Sequence, residues 1–353
     1  MLLEKILMIK KKIINKILKQ KQGLRLDDFI DICLFDPKGY YENIKNIGKK
    51  SDFTTSPEIS QLFGEILGLY IYCLWKKKYK KNLNLIELGP GNGTLMNDII
   101  RITKKLDKFH EIINVILIEK NLKLIFNQKK NLTCDIINLS WMKDFKINNN
   151  MPSIIIANEF FDCFPVRQFL KKNNRWYEKF VNYNQKEDIF FYDNNEILDS
   201  LLLKRLLEYE YKEIAEISEK REEYFEKICK HIFSFSGMII LIDYGYTEYP
   251  NNFTLQTLYN HKHSNLLENF GTQDITSYVD FRSLIKIARK YKLNKIELIS
   301  QREFLIKNGI IERMNKILDK CNFEQKKMIK SGCDRIIKEN DMGSTFKFLI
   351  ISK

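Results

Sequence analysis

Residues 85–94 read Leu85-Ile86-Glu87-Leu88-Gly89-Pro90-Gly91-Asn92-Gly93-Thr94, and the rest of the chain is arranged around them. An apolar run from Leu83 to Leu88 carries an acid next to its end and then meets three alternate glycines. A helical pattern follows, with Leu95, Met96, Ile99 and Ile100 apolar and Asn97, Asp98 and Arg101 polar. The reading is strand, glycine turn, helix. The glycines permit φ > 0 and leave no Cβ between the backbone and a ligand. The first helical N–H groups then face whatever sits in the turn.

The spacing is G-x-G-x-G, which differs from the dinucleotide G-x-G-x-x-G, and no Lys-Ser/Thr follows to make a phosphate loop. Glu87 would repel a pyrophosphate and attract a cationic amine. S-adenosylmethionine fits, because its methionine end carries an ammonium and its sulfonium is positive. The bland alternative is a plain tight turn between strand and helix.

At 353 residues the chain buries a large core; it is long for one domain and short for two. Its 44% hydrophobic and 29% charged content is that of an ordinary globular protein. No apolar run reaches the roughly 18 residues of a membrane span. The net charge is +14, but the lysines (Lys10–Lys12, Lys76–Lys78, Lys80, Lys81) are dispersed, without clustered Arg or interleaved aromatics. That distribution favours composition bias over a nucleic-acid surface. Seven widely spaced cysteines without a C-x-x-C fit a reducing cytosol and no zinc site. His261 and His263 lack a neighbouring Cys or spaced acid cluster, so a structural or substrate-contact role is expected there and no metal ligation.

Along the chain, residues 1–20 form an amphipathic helix pattern, and Leu26 to Leu34 a second. Ser56-Pro57-Glu58 is a helix start, with a capping hydroxyl, a proline in the first turn and an acid. A single helix from Glu58 to Lys78 is expected to follow. After the glycine-turn helix, Val115 to Glu119 is a buried strand ending in an acid, which places Glu119 beside a bound ribose; the alternative is an acid at a helix start. A third strand is expected at Thr133 to Ile137, and a fourth at Ser153 to Ala157, running into Asn158-Glu159-Phe160-Phe161-Asp162. Ligands of such sheets bind at the carboxyl ends of the strands, so this amide and these two carboxylates form a second informative site.

From Gln168 the pattern becomes an antiparallel meander (168–170, 175–181, 189–191), followed by charged helices at about 196–210 and 219–233. This is read as an insertion covering the cleft. The sheet resumes at Met238 to Ile242, ending in Asp243-Tyr244-Gly245. A polar loop, a helix Phe281 to Tyr291, a strand Lys295 to Ile299, helices across 302–340 and a strand Thr345 to Ile351 complete the order.

With those residues in hand, the chain resembles the MidA-like S-adenosylmethionine-dependent methyltransferases, relatives of a mitochondrial complex I assembly factor that methylates arginine. The resemblance is carried by Asp36-Pro37…Gly39-Tyr40-Tyr41, Asp52-Phe53-x-Thr55-Ser56-Pro57-Glu58-Ile59-Ser60-Gln61-x-Phe63-Gly64-Glu65 and Glu87-Leu88-Gly89-Pro90-Gly91-x-Gly93-Thr94-Leu95-Met96. Downstream it continues through Asn158-Glu159-Phe160-Phe161-Asp162-x-x-Pro165-Val166, Asp243-Tyr244-Gly245, Thr254-Leu255-Gln256, Asp274-Ile275-Thr276…Val279-Asp280-Phe281 and Met342-Gly343…Phe346-Lys347. These motifs stand in the family's order over about residues 13–352. Three departures are visible: Asn92 where Arg is common, Tyr278 where His is frequent, and Lys120-Asn121 in place of Ser-Pro. The first should matter little, since backbone builds the site.

The resemblance implies an α/β fold: a class I methyltransferase-type Rossmann-like sheet with an N-terminal helical segment (1–81) closing over the cofactor site. A methyltransferase domain (82–353) would be interrupted by an α+β cap at about 167–235 and a substrate-side loop at about 246–280. It implies S-adenosylmethionine held by Glu87, Gly89, Gly91, Gly93, Thr94, Glu119, Asn158, Ser56 and Pro57. Asp52, Glu58, Asp243 and Tyr244 would face the substrate, and Glu159 and Asp162 would hold an arginine guanidinium in bidentate pairs. An alternative for Asp162 is a helix cap. The implied partner is a protein carrying the target arginine, a respiratory complex I subunit being one such substrate. The early start of the resemblance favours a bacterial cytoplasmic member over a mitochondrial-matrix one. Two other readings stand beside it, an RNA or DNA methyltransferase and a non-catalytic assembly chaperone. The acid Glu159 replaces the first proline of the base-methylating Asn/Asp-Pro-Pro-aromatic stretch, which favours a cationic acceptor.

Overall fold

The computed structural model describes residues 2–44, 55–104, 106, 109–132, 138–147, 149–208, 212–260 and 262–353. The chain divides into two compact units. One comprises residues 1–44, 162–224 and 246–282; the other comprises residues 45–161, 225–245 and 283–353.

The second unit holds the central sheet. Its strands are β1 (Leu83–Leu88), β2 (Ile113–Ile118), β3 (Leu139–Met142), β4 (Ser153–Asn158), β5 (Gly237–Tyr246), β6 (Lys295–Ser300) and β7 (Phe346–Ser352). The main run of the sheet has the order β3-β2-β1-β4-β5-β7-β6. The first five of these are mutually parallel, and β7 runs antiparallel to both β5 and β6. Parallel strands covered on both faces read as continuous apolar runs. Accordingly Leu85, Ile86, Leu117, Ile155, Ile156 and Ile240 are fully buried. Strand order reverses between β1 and β4, which makes the carboxyl ends of these two strands the expected place for a ligand.

Three helices matter to the site: α1 (Gln61–Leu74), α2 (Thr94–Thr103) and α3 (Leu122–Asn131). The single helix expected from Glu58 to Lys78 is divided. A four-residue helix, Ser56–Ile59, ends at Ser60, whose extended backbone (φ −148°) breaks the run; α1 begins with the Ser60 hydroxyl as its cap, and Trp75–Tyr79 is wound as a π-helix. The capping hydroxyl is therefore that of Ser60; Ser56 is the first residue of the short helix, whose cap residue Thr55 makes no side-chain cap bond. A third strand was expected at Thr133 to Ile137. Those residues lie outside the described residues, and the strand beside β2 is β3, a short edge segment of four residues, none of them fully buried. In the core, Glu65 on α1 is fully buried and accepts from Arg101 Nη1 (2.7 Å) and Arg313 Nε (2.6 Å).

In the other unit the helices Leu2–Ile17 and Leu26–Phe35 stand with a five-stranded antiparallel sheet. Arg175–Asn184 is its central strand, paired with Leu24–Arg25, Arg167–Lys172 and Ile189–Glu196. The meander is thus as read from the sequence. A further strand, Ile214–Ile217, pairs with Arg167–Lys172; at four residues between two charged helices it left no period to read. Residues 1–44 group with the meander through the pairing of Leu24 with Val181 and Arg25 with Phe180. Arg167 anchors this unit, paired with Glu178 (2.7 Å) and Glu219 (2.9 Å).

Candidate cofactor and catalytic site

The glycine turn joins β1 to α2 with Gly89, Gly91 and Gly93 all left-handed, at φ 60°, 56° and 81°. A Cβ on Gly89 would stand 2.8 Å from Cδ2 of the Phe160 ring, so backbone and aromatic face meet there without space for a side chain. Glu87 is buried at 3% exposure, and its Oε2 has no hydrogen-bond partner among the described residues. Burial pushes its carboxyl up to about 8. A buried acceptor without a donor costs free energy unless a ligand supplies one. A second such atom, Asn158 Oδ1, lies at the end of the neighbouring strand β4. In the register of the two strands Glu87 stands opposite Ile156 and Leu88 opposite Ala157.

Glu119 follows β2. Its Oε1 accepts from the N–H groups of Lys120 (2.8 Å) and Asn121 (2.9 Å), and Gln128 Nε2 approaches its Oε2 at 3.4 Å. The helix-start alternative falls to Asn121, whose side chain caps α3 by accepting from Lys123 N (2.8 Å) and Leu124 N (3.3 Å). The Lys120-Asn121 departure thus supplies its own cap.

Glu159, one residue past β4, is left-handed at φ 48°. For a non-glycine residue that conformation costs of order 1–3 kcal/mol and persists where the surroundings impose it. Here Glu159 N–H donates to Ile242 O of β5 (2.8 Å), and its Oε1 accepts from Ser56 N (3.2 Å) and Asn158 Nδ2 (3.3 Å). Asp243, at the same end of β5, is fully buried, and its two oxygens accept from Phe161 N and Tyr244 N, each at 3.0 Å. The Tyr244 ring is half-buried and meets Phe346 edge-on at 5.4 Å.

The short helix Ser56–Ile59 is tied to the same loops. Glu58 Oε1 accepts from Thr94 Oγ1 (2.6 Å) and Asn92 Nδ2 (3.1 Å), which pins the glycine turn from its flank. Asn92, expected to matter little, therefore acts through its side chain. The Ser56 hydroxyl turns inward to Gln301 Oε1 (3.3 Å), and Ser56 and Pro57 are both buried. Asp52 lies outside the described residues. Asp162 belongs to the other compact unit. It sits in a turn with no helix after it to cap, and its carbonyl accepts from Ser277 N (2.9 Å).

Among the described residues no group of three or more His, Cys, Asp or Glu could hold a metal, and no helix is long and apolar enough to cross a membrane. The residues present suit S-adenosylmethionine. A buried acid oxygen without a donor would suit its ammonium, the left-handed glycines clear the backbone, and an oriented acid after the second strand would suit a diol.

A family model described as putative S-adenosyl-L-methionine-dependent methyltransferase matches residues 66–299. The chain belongs to that family. Its fold is that of a superfamily member from Burkholderia thailandensis crystallised with S-adenosyl-homocysteine, at a TM-score of 0.86 and 20% identity, covering 100% of this chain and 93% of that one. Among curated proteins it is similar to the mitochondrial protein arginine methyltransferase NDUFAF7 homolog of Caenorhabditis elegans, 30% identical over 96% of this chain and 85% of that protein. The mitochondrial protein arginine methyltransferase NDUFAF7 of Mus musculus is 30% identical over 95% of this chain and 82% of its own length. The methyltransferase family and its cofactor, S-adenosylmethionine, are thereby established for this chain, as is the α/β fold with its mostly parallel sheet.

Two residues that pack against the glycine turn, Phe160 and Gln128, carry no motif that assigns them a role. Gln128 had a signal, however, since it stands four residues after Leu124 on the inward stripe of an otherwise charged helix, where an apolar residue is expected.

Proposed function

We propose that this methyltransferase transfers a methyl group from S-adenosylmethionine to an arginine guanidinium of a protein substrate. The observation that carries the reading is Glu159. It is a carboxylate held in a strained left-handed conformation at the carboxyl end of β4, its Oε1 aimed by Ser56 N–H and Asn158 Nδ2. An arginine acceptor stays protonated in water, with a pKa above about 12. A fixed carboxylate would pair with that planar cation, orient one nitrogen for in-line attack and accept the N–H proton as the N–C bond forms and the C–S bond breaks, with S-adenosyl-homocysteine as the leaving group. When bound, S-adenosylmethionine supplies a methyl already activated on sulfur. Glu87 and Asn158 Oδ1 would accept from donors of the cofactor, and Glu119 would accept from its ribose. The two curated relatives, which carry the name protein arginine methyltransferase, support the acceptor class. Of the two carboxylates expected to hold the guanidinium, Glu159 carries this role. Within it, a respiratory complex I subunit is the first substrate to try, and a bacterial cytoplasm the compartment.

The test is transfer of labelled methyl from S-adenosylmethionine into a lysate, followed by amino-acid analysis of the labelled protein. Methylated arginine is expected with the wild type. With Glu159→Gln, transfer should fall about 100-fold or more, as loss of an orienting contact does, while cofactor affinity stays within about threefold. Label recovered in lysine, RNA or DNA would replace the arginine reading. Intact cofactor binding with no transfer would replace it with the chaperone.

A further inference from the structure

Gln128 is fully buried on α3, whose neighbouring residues Lys123, Phe126, Lys129 and Lys130 are exposed. Its amide makes three contacts. Nε2 donates to the carbonyl of Gly91 in the glycine turn (2.8 Å) and faces Glu119 Oε2 (3.4 Å), while Oε1 accepts from the indole Nε1 of Trp141 on β3 (2.8 Å).

The indole is a donor only, so it decides which end of the amide faces it. With Oε1 committed to Trp141, the two N–H groups must face Gly91 O and the Glu119 carboxylate, both acceptors. The reversed amide would set oxygen against oxygen at both. Backbone N–H groups hold one oxygen of Glu119 and Gln128 holds the other, so the carboxylate cannot rotate away from a ligand. Orientation fixed before binding reduces the ordering that binding must impose.

We propose that Gln128 is a positioning residue for the cofactor. Through one amide it locks the glycine turn to the Glu119 carboxylate and so sets the preference for a ribose bearing its 2′-hydroxyl. The inference rests on the reading of Glu119 as the ribose contact. A glutamine that merely filled space would support every ligand of the pocket equally. One that acts through Glu119 affects ligands that carry the hydroxyl more than those that lack it.

Calorimetry with S-adenosyl-homocysteine and its 2′-deoxy analogue separates these cases, with thermal melts as the folding control. The wild type should prefer the hydroxylated ligand by about tenfold, the scale of one hydrogen bond to a charged acceptor. Gln128→Met should weaken S-adenosyl-homocysteine by about tenfold and compress that preference to under about threefold. Trp141→Phe, which leaves Gln128 in place but removes its anchor, should compress it partly, and Glu119→Gln should abolish it. A folded Gln128→Met that weakens both ligands equally, or neither, overturns the proposal. Should that variant fail to fold, Trp141→Phe decides on the same ratio, and an unchanged ratio overturns it. A Glu119→Gln protein that binds S-adenosyl-homocysteine with the wild-type preference removes Glu119 as the ribose contact and the proposal with it, leaving the cofactor assignment intact.

Discussion

Glu87 was identified from one position in the sequence, an acid beside a glycine turn, and burial gives it a property no sequence pattern carries. Its carboxyl is raised from 4.5 to about 8. A raised acid binds its proton more tightly in the folded state, so it lowers stability progressively as pH climbs from 4.5 to about 8. Glu87→Gln removes that proton equilibrium while keeping the shape. Thermal melts of the ligand-free protein should therefore show the variant gaining on the wild type as pH rises toward 8. Affinity should move the other way. A charge-assisted contact to an ammonium is worth about 1.5–3 kcal/mol, so calorimetry at pH 8 should find S-adenosyl-homocysteine bound roughly ten- to a hundredfold more weakly. Wild-type affinity should strengthen between pH 6 and 8, because the ligand needs the ionised carboxylate; a flat profile would remove the ammonium contact. Glu119 and Glu159 could be picked out in the same way as Glu87, since strand ends are legible. Their aim was not, because Gln128, Asn121 and Ser56, which set it, lie 9, 2 and 103 residues away from the acids they hold.

At the scale of elements, the strands with uninterrupted apolar runs were readable, and so was the edge strand β6, whereas the opposite edge strand β3 was not. Neither edge strand has a fully buried residue, but β6 opens with alternating polar and apolar residues in a run of six, while β3 has only four, too few to show a period. The break at Ser60 was hidden because Ser56 offers the same capping chemistry four positions earlier. That break has a use, since it lets Ser56–Ile59 turn Glu58 toward the glycine turn. Glu58→Ala should lower stability by about 1.5–3 kcal/mol for the lost charged hydrogen bonds and weaken S-adenosyl-homocysteine. Glu58→Gln, which keeps an acceptor, should recover part of both; equal effects of the two variants would show that the contact to Thr94 and Asn92 contributes nothing. Glu65 makes a harder contact between α1, α2 and the helix Ile310–Leu318. Removing one partner of a buried pair costs about 3–5 kcal/mol. Arg101 and Arg313 are 40% and 28% exposed and can turn to water. Urea unfolding of Glu65→Ala should therefore give the lower end, about 3 kcal/mol.

Over the whole molecule the alternation of strand and helix made the sheet class legible, and the family motifs ordered it. The grouping of residues 1–44 with 162–224 and 246–282 was not legible, because it is made by pairs such as Leu24 with Val181, which have no local signature. β7 shows how far such pairing reaches. It is hydrogen-bonded along both edges, from Met238–Ser352 to Tyr244–Phe346 with β5 and from Lys295–Ser352 to Ser300–Lys347 with β6. Deletion of residues 346–352 would strand both neighbours, and circular dichroism and solubility should report a protein that does not fold.

The three tryptophans are distributed in a way that makes the protein its own reporter. Trp75 and Trp176 are buried at 8% and 4% exposure, whereas Trp141 is half-buried, hydrogen-bonded to Gln128 and covered by the Lys129 ammonium 5.2 Å from its ring centre. Two of the indoles give a constant emission background, and the third stands one amide away from the glycine turn and the ribose acid. Intrinsic fluorescence excited at the indole band should then change in intensity or wavelength as S-adenosyl-homocysteine is titrated in. That change should vanish in Trp141→Phe, which gives an optical, label-free record of cofactor occupancy.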